Sequence, residues 1–352
     1  VWLKGYIRVI IPALLLNQFR FNGYAFLSLY NTIFVNDPQF YKPFSFVQFQ
    51  RSATENHYRI FEHYTKNIRS QLRSPIIYEI DDMLFNIPKW NYASDYYAPT
   101  EDIIKKMMSL CDGMTVSTEA LKEAYSPYCK KITVIPNHLP KFLWGESIIK
   151  DKPRELKDRP RIGWMGSENH FVHPATKQYK EGIRGGDFGE KLLEFIRKTV
   201  DVYQWVLSGA KPVELVDLID TKKIEFHSWK SILEYPTHAR ALDLDIGIAP
   251  LYPSNFNDSK SNIKCLEFSH LGLAGVYSAA RPYLDMSLNT NDEDEFVSNI
   301  EKVASDVDYR LQIHKQDYNT VEDQLYWESK EKLNLKRYVN SYLEMFGKTL
   351  KM

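Results

Sequence analysis

The sequence predicts an α/β protein made of two Rossmann-like lobes, each with a parallel sheet, facing one another across an interdomain cleft. Three observations carry this expectation. Short apolar runs of strand length alternate with helical stretches, which implies crossover connections and parallel pairing. The alternation occurs twice, and a polar, proline-bearing stretch from Glu146 to Arg159 separates the two series. The chain is 352 residues long, which suits two domains, each able to bury a core of its own.

In chain order, Tyr6–Pro12 is the first candidate strand. Ser45–Gln50 follows and ends at Arg51, and Pro75–Ile80 ends in the acidic pair Asp81-Asp82. Gly113–Val116 runs into Ser117-Thr118, either of which can cap the next helix. Ile132–Ile135 ends at Pro136-Asn137. The second series comprises Arg161–Ser167, Tyr203–Ser208, Ile224–His227, Leu244–Leu251 and Gly275–Ser278. From about residue 295 the pattern is helical, and Tyr326–Leu350 has amphipathic spacing. The expected division is 1–150 for an N-terminal Rossmann-like lobe and 151–325 for a second Rossmann-like lobe. Residues 326–352 are expected as a helix packing back on the first lobe.

Composition narrows the class. Apolar content of 44% and charged content of 26% are those of an ordinary soluble globular protein. Cys111, Cys129 and Cys265 are scattered without metal spacing, which fits a reducing, cytoplasmic compartment. The apolar run Val9–Leu16 is too short to span a bilayer and lacks a signal-cleavage site. Net charge is zero, yet residues 1–75 hold nine Lys/Arg against three acids, an excess of +6. That segment is also rich in Phe and Tyr. Basic plus aromatic composition suits a surface that takes phosphate backbones and stacks bases, and equally an aromatic core with solvated cations.

The strongest constellation follows the strand that ends at Pro250-Leu251. A polar loop leads to Lys260, Ser261, Lys264 and Glu267, then to Gly272 and Gly275. With a helix starting near Ser261, Lys260, Lys264 and Glu267 share one face. Two cations near a helix start suit a diphosphate, and a carboxylate accepts ribose hydroxyls. Gly163-Trp164-Met165-Gly166-Ser167 closes the first strand of the second lobe and can bring backbone N–H groups to phosphate, although it is neither a Walker loop nor Gly-x-Gly-x-x-Gly. Asp81 and Asp82 end a first-lobe strand, where they can orient a hydroxyl or cap a helix. His170 and His173 make an isolated His-x-x-His without further zinc ligands, so no metal site is expected. The Gly-rich stretch Asn169–Gly189 reads as an insertion able to form a lid over the donor loop.

The pattern strand–Pro-Leu, then Lys-Ser-x-x-Lys-x-x-Glu-Phe and Gly, resembles glycosyltransferases of the GT-B fold related to family 4. Tyr78–Phe85, Val134–Asn137, Ile162–Ser167, Glu225–His227 and Leu242–Leu251 resemble the same family, so the likeness runs through most of the chain. The resemblance implies a retaining enzyme that needs no metal or cofactor beyond its nucleotide-sugar co-substrate, a UDP-sugar by expectation. It implies ribose binding by Glu267, phosphate contact by the Gly163–Ser167 loop, and a base-flanking role for Glu225–His227. The family's second glutamate, eight positions earlier, is here Ser259, which leaves the sugar open and gives Lys260 a share of the donor contact.

The expected roles are therefore catalytic for Lys260, Asp81 and Asp82, and donor-binding for Gly163, Gly166, Ser167, His227, Ser261, Lys264 and Glu267. Acceptor binding falls to Arg20, Arg51 and His57. General appearance resembles the DNA-modifying glycosyltransferases of tailed phages. That makes 5-hydroxymethylcytosine in double-stranded DNA the expected acceptor, reached by base flipping in the host cytoplasm. The alternatives are a polysaccharide or lipid-linked glycan transferase at the inner membrane face, and a non-catalytic nucleotide-binding module. A dinucleotide oxidoreductase is disfavoured, since no glycine fingerprint is present.

Overall fold

The computed structural model describes residues 6–18, 37–42, 44–72, 75–148, 159–172, 177–182, 185–329 and 332–347. Most of the 146–159 divider and residue Arg20 lie outside these.

The first sheet is parallel and ordered β1-β2-β3-β4: β1 (Val47–Gln50), β2 (Ile76–Ile80), β3 (Gly113–Val116) and β4 (Ile132–Val134). The second is parallel and ordered β7-β6-β5-β8-β9: β5 (Arg161–Gly166), β6 (Gln204–Gly209), β7 (Glu225–Ser228), β8 (Ile246–Ala249) and β9 (Ala274–Tyr277). In the second sheet the chain order reverses between β5 and β8. A crevice opens outside the carboxyl ends of strands at such a reversal, and ligands bind there.

The first candidate strand is instead helical. Tyr6–Ile10 forms a π-turn that continues into α1 (Ile11–Gln18). The β-branched run Val9-Ile10-Ile11 reads as a strand locally. Burial decides otherwise, because Ile11, Leu15 and Leu16 fall on one helical face against Ile77, Ile135 and Trp327. The same turn carries Arg8 into the first lobe. There its Nε donates to Glu79 Oε1 at 2.7 Å, and its guanidinium also reaches the Ile135 carbonyl and Asn137 Oδ1. Arg8 explains how β2 keeps every residue buried, Glu79 included. Burial pushes the Glu79 carboxyl upward, and the Arg8 charge opposes that push.

Around the first sheet pack α2 (Glu55–His63), α3 (Glu101–Leu110) and α4 (Glu119–Tyr125). Thr118 caps α4 by accepting from Leu121 N–H at 3.2 Å. Around the second pack α5 (Glu190–Thr199), α6 (Tyr235–Ala241), α7 (Ile263–Leu271), α8 (Glu293–Ser305) and α9 (Val307–Val321). After α9 the chain bonds alongside Leu139, with Leu139 N–H donating to Leu325 O and Trp327 N–H to Leu139 O. It then forms α10 (Leu333–Met345), whose Tyr342 stacks on Phe46 with ring centroids 4.9 Å apart. Gly113 lies beneath it, where an added Cβ would displace the Met345 side chain. No helix among the described residues is long and apolar enough to cross a membrane.

Removing the Arg8 side chain leaves Glu79 buried without its partner. Arg8→Ala is expected to lower unfolding free energy by about 3–5 kcal/mol in urea denaturation. The double replacement Arg8→Met with Glu79→Leu should recover most of that loss, because neither charge then remains buried.

Candidate active site

The carboxyl ends of β5 and β8 meet at one buried carboxylate, Asp187, whose side chain has no exposed surface. Its Oδ1 accepts from Tyr252 N–H at 2.8 Å and from Asn257 Nδ2 at 2.7 Å. Its Oδ2 lies 2.7 Å from His170 Nδ1 and 3.6 Å from Lys260 Nζ. Local sequence makes this possible. Gly186 lets the strand-like segment lie against His170, whose carbonyl a Cβ would meet at 2.8 Å. Asp187 N–H then donates to that carbonyl. Burial disfavours the Asp187 anion, but Lys260, His170 and the Tyr252 amide outweigh it, and the carboxyl is held below its ordinary value. Burial and the nearby Lys260 charge push His170 down to about 4.

One helical turn onward lies a second cluster. Lys264 Nζ is 2.6 Å from Glu267 Oε2, which also accepts from Tyr235 Oη at 3.0 Å. Glu267 is buried, and its Oε1 has no protein partner among the described residues. The helix α7 begins at Ile263, two residues later than the expected start at Ser261. Lys260 therefore precedes the helix and does not share the Lys264–Glu267 face. It is held by Asp187 and lies over the Phe256 ring, 5.4 Å from its centroid. Ser259 is buried and donates to Asn255 O at 2.8 Å.

The first lobe closes onto this loop. Asn137 Nδ2 donates to Ser261 Oγ at 2.9 Å, and Thr118 Oγ1 to Ser259 O at 3.1 Å. Gln324 Nε2 donates to both Asn137 O and Asn262 Oδ1. Across the cleft, Asp82 pairs with Arg51 Nη2 at 2.8 Å. Asp81 is buried, with Oδ1 4.0 Å from Arg51 Nη1 and no hydrogen-bond partner among the described residues. Arg51 adopts φ +44° at the end of β1 and donates through Nε to Tyr97 Oη at 3.1 Å. That unusual backbone conformation turns the guanidinium onto the two aspartates.

Other expected site residues sit elsewhere. Gly163 lies within β5, where an added Cβ would strike the Leu244 side chain. Gly166 ends β5, where a Cβ would strike the Trp164 ring, and Ser167 follows without a side-chain cap bond. His227 lies on the edge strand β7 and meets Glu225 at 2.6 Å, which in turn meets Arg161. His57 is taken up in its own turn, where Nδ1 accepts from Ala53 N–H at 3.1 Å. Five of the described cations of the first 75 residues are paired with acids, three of them with acids outside that segment. Arg8, Arg51, Arg59, Lys66 and Arg69 meet Glu79, Asp82, Glu55, Glu62 and Asp112. Asp187, Tyr235, Asn137 and Gln324 escape sequence reasoning. A signal for Asp187 exists in retrospect, as an acid set among Gly185, Gly186, Phe188 and Gly189.

Among solved structures, the chain is similar to a glycosyltransferase from Rickettsia africae ESF-5, at 12% identity. That match covers 99% of this chain and 97% of the other, with a TM-score of 0.60. The fold is GT-B. A second similar structure is an alpha-glucosyltransferase in complex with UDP and a 13-mer DNA containing an HMU base, at 10% identity. It covers 85% and 81% of the two chains, with a TM-score of 0.51. No protein-family model and no curated protein matches the sequence.

Buried histidines contribute to the acid response of this GT-B chain. Burial lowers His138, His170 and His270 each to about 4, from the ordinary histidine value of 6.5. The unfolded state therefore binds more protons between pH 6.5 and 4, and stability falls on acidification through that window. Each histidine contributes at most about 1.4 kcal/mol per pH unit. Glu79 and Asp317, which burial raises to about 7 and about 6, offset part of this loss, so the urea midpoint should fall from pH 7 to pH 5, and fall less in His138→Gln.

Proposed function

We propose that this protein is a glycosyltransferase that moves a sugar from a nucleoside diphosphate sugar, UDP-linked and with retention, to an acceptor hydroxyl. The observation that carries the reading is a pair of ammonium groups at the strand-order reversal of the second sheet, Lys260 held by Asp187 and Lys264 bonded to the half-free carboxylate of Glu267. The ammonium groups suit the diphosphate, and Glu267 Oε1 suits the ribose hydroxyls. As the sugar departs, negative charge grows on the distal phosphate. Fixed cations in a closed cleft act on that charge more strongly than water does. Asp187 holds Lys260 in place for this and touches no ligand itself. Asp81 of the first lobe, whose Oδ1 lies near Arg51 of the same lobe without a hydrogen bond, is the group assigned to orient the acceptor hydroxyl.

For the acceptor we favour 5-hydroxymethylcytosine in DNA, supported by the fold neighbour that holds DNA with an HMU base. The glycan reading also has an observation behind it. The described cations of the first 75 residues are mostly paired with acids, which weakens them as contacts for a phosphate backbone.

Labelled UDP-sugars and GDP-sugars incubated with hydroxymethylated duplex DNA, plain duplex DNA and oligosaccharides test both levels. Label is expected in the modified DNA alone. Label in the oligosaccharides alone selects the glycan reading, and transfer to nothing, with no donor hydrolysis, sinks the enzyme reading. Lys264→Ala should lower kcat/KM about 10²-fold, and Glu267→Ala should act chiefly by raising KM. Lys260→Ala should also cost about 1–3 kcal/mol of stability, because Asp187 then loses a buried partner.

A further inference from the structure

The groups around Lys260 are chemically unequal. Lys260 and Lys264 both bear electrostatically on His170, so the two ammonium groups and the imidazole share one locality. The Asp187 carboxylate can only accept hydrogen bonds. The ring nitrogen that meets it at 2.7 Å, Nδ1, therefore carries the proton. That leaves Nε2, on the opposite side of the ring from Asp187, with a lone pair. It has no protein partner among the described residues, and the side chain is 18% exposed.

The ring is also locked. It lies edge-on to Trp164 with centroids 5.5 Å apart, and its backbone carbonyl is held by Asp187 N–H. The neighbouring Asn169 carbonyl accepts from Asn91 Nδ2 of the first lobe at 3.0 Å. A fixed lone pair beside two cations repels phosphate oxygens, so the diphosphate is not its partner. A hydrogen-bond donor adjoining a diphosphate is what it suits, and the hydroxyls of a nucleotide-linked hexose are such donors.

We propose that His170 determines sugar specificity: its Nε2 accepts a hydrogen bond from a hydroxyl of the transferred sugar, and Asp187 is the positioning residue that sets its tautomer. This rests on the nucleotide-sugar reading above. A site that hydrogen-bonds a hydroxyl discriminates against sugars lacking it or presenting it in the other configuration.

The test is calorimetric binding without acceptor, using UDP-glucose, UDP-N-acetylglucosamine, GDP-mannose, UDP and GDP. Wild-type protein is compared with His170→Ala and His170→Gln. His170→Ala is expected to weaken the bound sugar nucleotide about tenfold and its parent nucleotide less than twofold. His170→Gln, whose amide oxygen accepts, should recover part of the loss. Equal weakening of both ligands, or of neither, overturns the His170 assignment and leaves the nucleotide-sugar reading standing. Wild-type protein that binds none of the five overturns both. Nitrogen-15 spectra of the wild-type imidazole give a check independent of variant folding. The Nε2 resonance should move on adding the sugar nucleotide and not on adding its parent nucleotide, and an identical response to both refutes the contact.

Discussion

A carboxylate with no exposed surface must be answered by the protein around it, and Asp187 is answered from separate segments. His170 comes from the loop after β5, Tyr252 and Asn257 from the chain after β8, and Lys260 from the approach to α7. An ion left unpaired there would cost several kcal/mol. Satisfying it draws the two strand ends at the reversal into one rigid floor. The spacing of Lys260, Lys264 and Glu267 beneath the cleft follows from that requirement, because the loop carrying Lys260 is pinned before the helix begins.

The first lobe is tied to the same floor by polar contacts of modest individual strength. Arg8 connects the buried Glu79 to Asn137, and Asn137 connects to Ser261. Gln324, from the segment crossing between lobes, touches Asn137 and Asn262 together. Hydrogen bonds of this kind contribute about 1 kcal/mol each. That is enough to favour closure collectively and weak enough to let the lobes part for ligand exchange. The apolar part of the tie is carried by Trp327 and Tyr342, which pack with Ile77 and Ile135 of the first lobe.

Much of the architecture was legible in the residues. The strands β2 to β9 fall on the apolar runs that suggest them, within a residue or two, because parallel strands buried on both faces need continuous apolar sequence. The N-terminal run was not legible. Val9-Ile10-Ile11 suits a strand by propensity, and the helix won through burial of Ile11, Leu15 and Leu16. The Lys264–Glu267 pair was legible because both residues lie on one helix. Lys260 was misplaced, since a helix start is local and uncertain while its partner Asp187 lies 73 positions away in sequence. The close packing of Gly163 on Leu244 was not legible either, because that leucine comes from a distant segment.

The cysteines draw the same line. Cys111 and Cys129 are scattered by spacing, yet the fold sets their sulfurs 3.9 Å apart. What the sequence determined alone was the periodicity of strands and helices, the succession of two parallel sheets, and the Lys264–Glu267 pair within a single turn of helix. Those properties depend on near neighbours. The tertiary structure alone decided which ionisable groups become buried, who answers them and therefore which nitrogen of His170 holds a proton. Burial and pairing are relations between segments far apart in the chain, and they exist only once the lobes have packed.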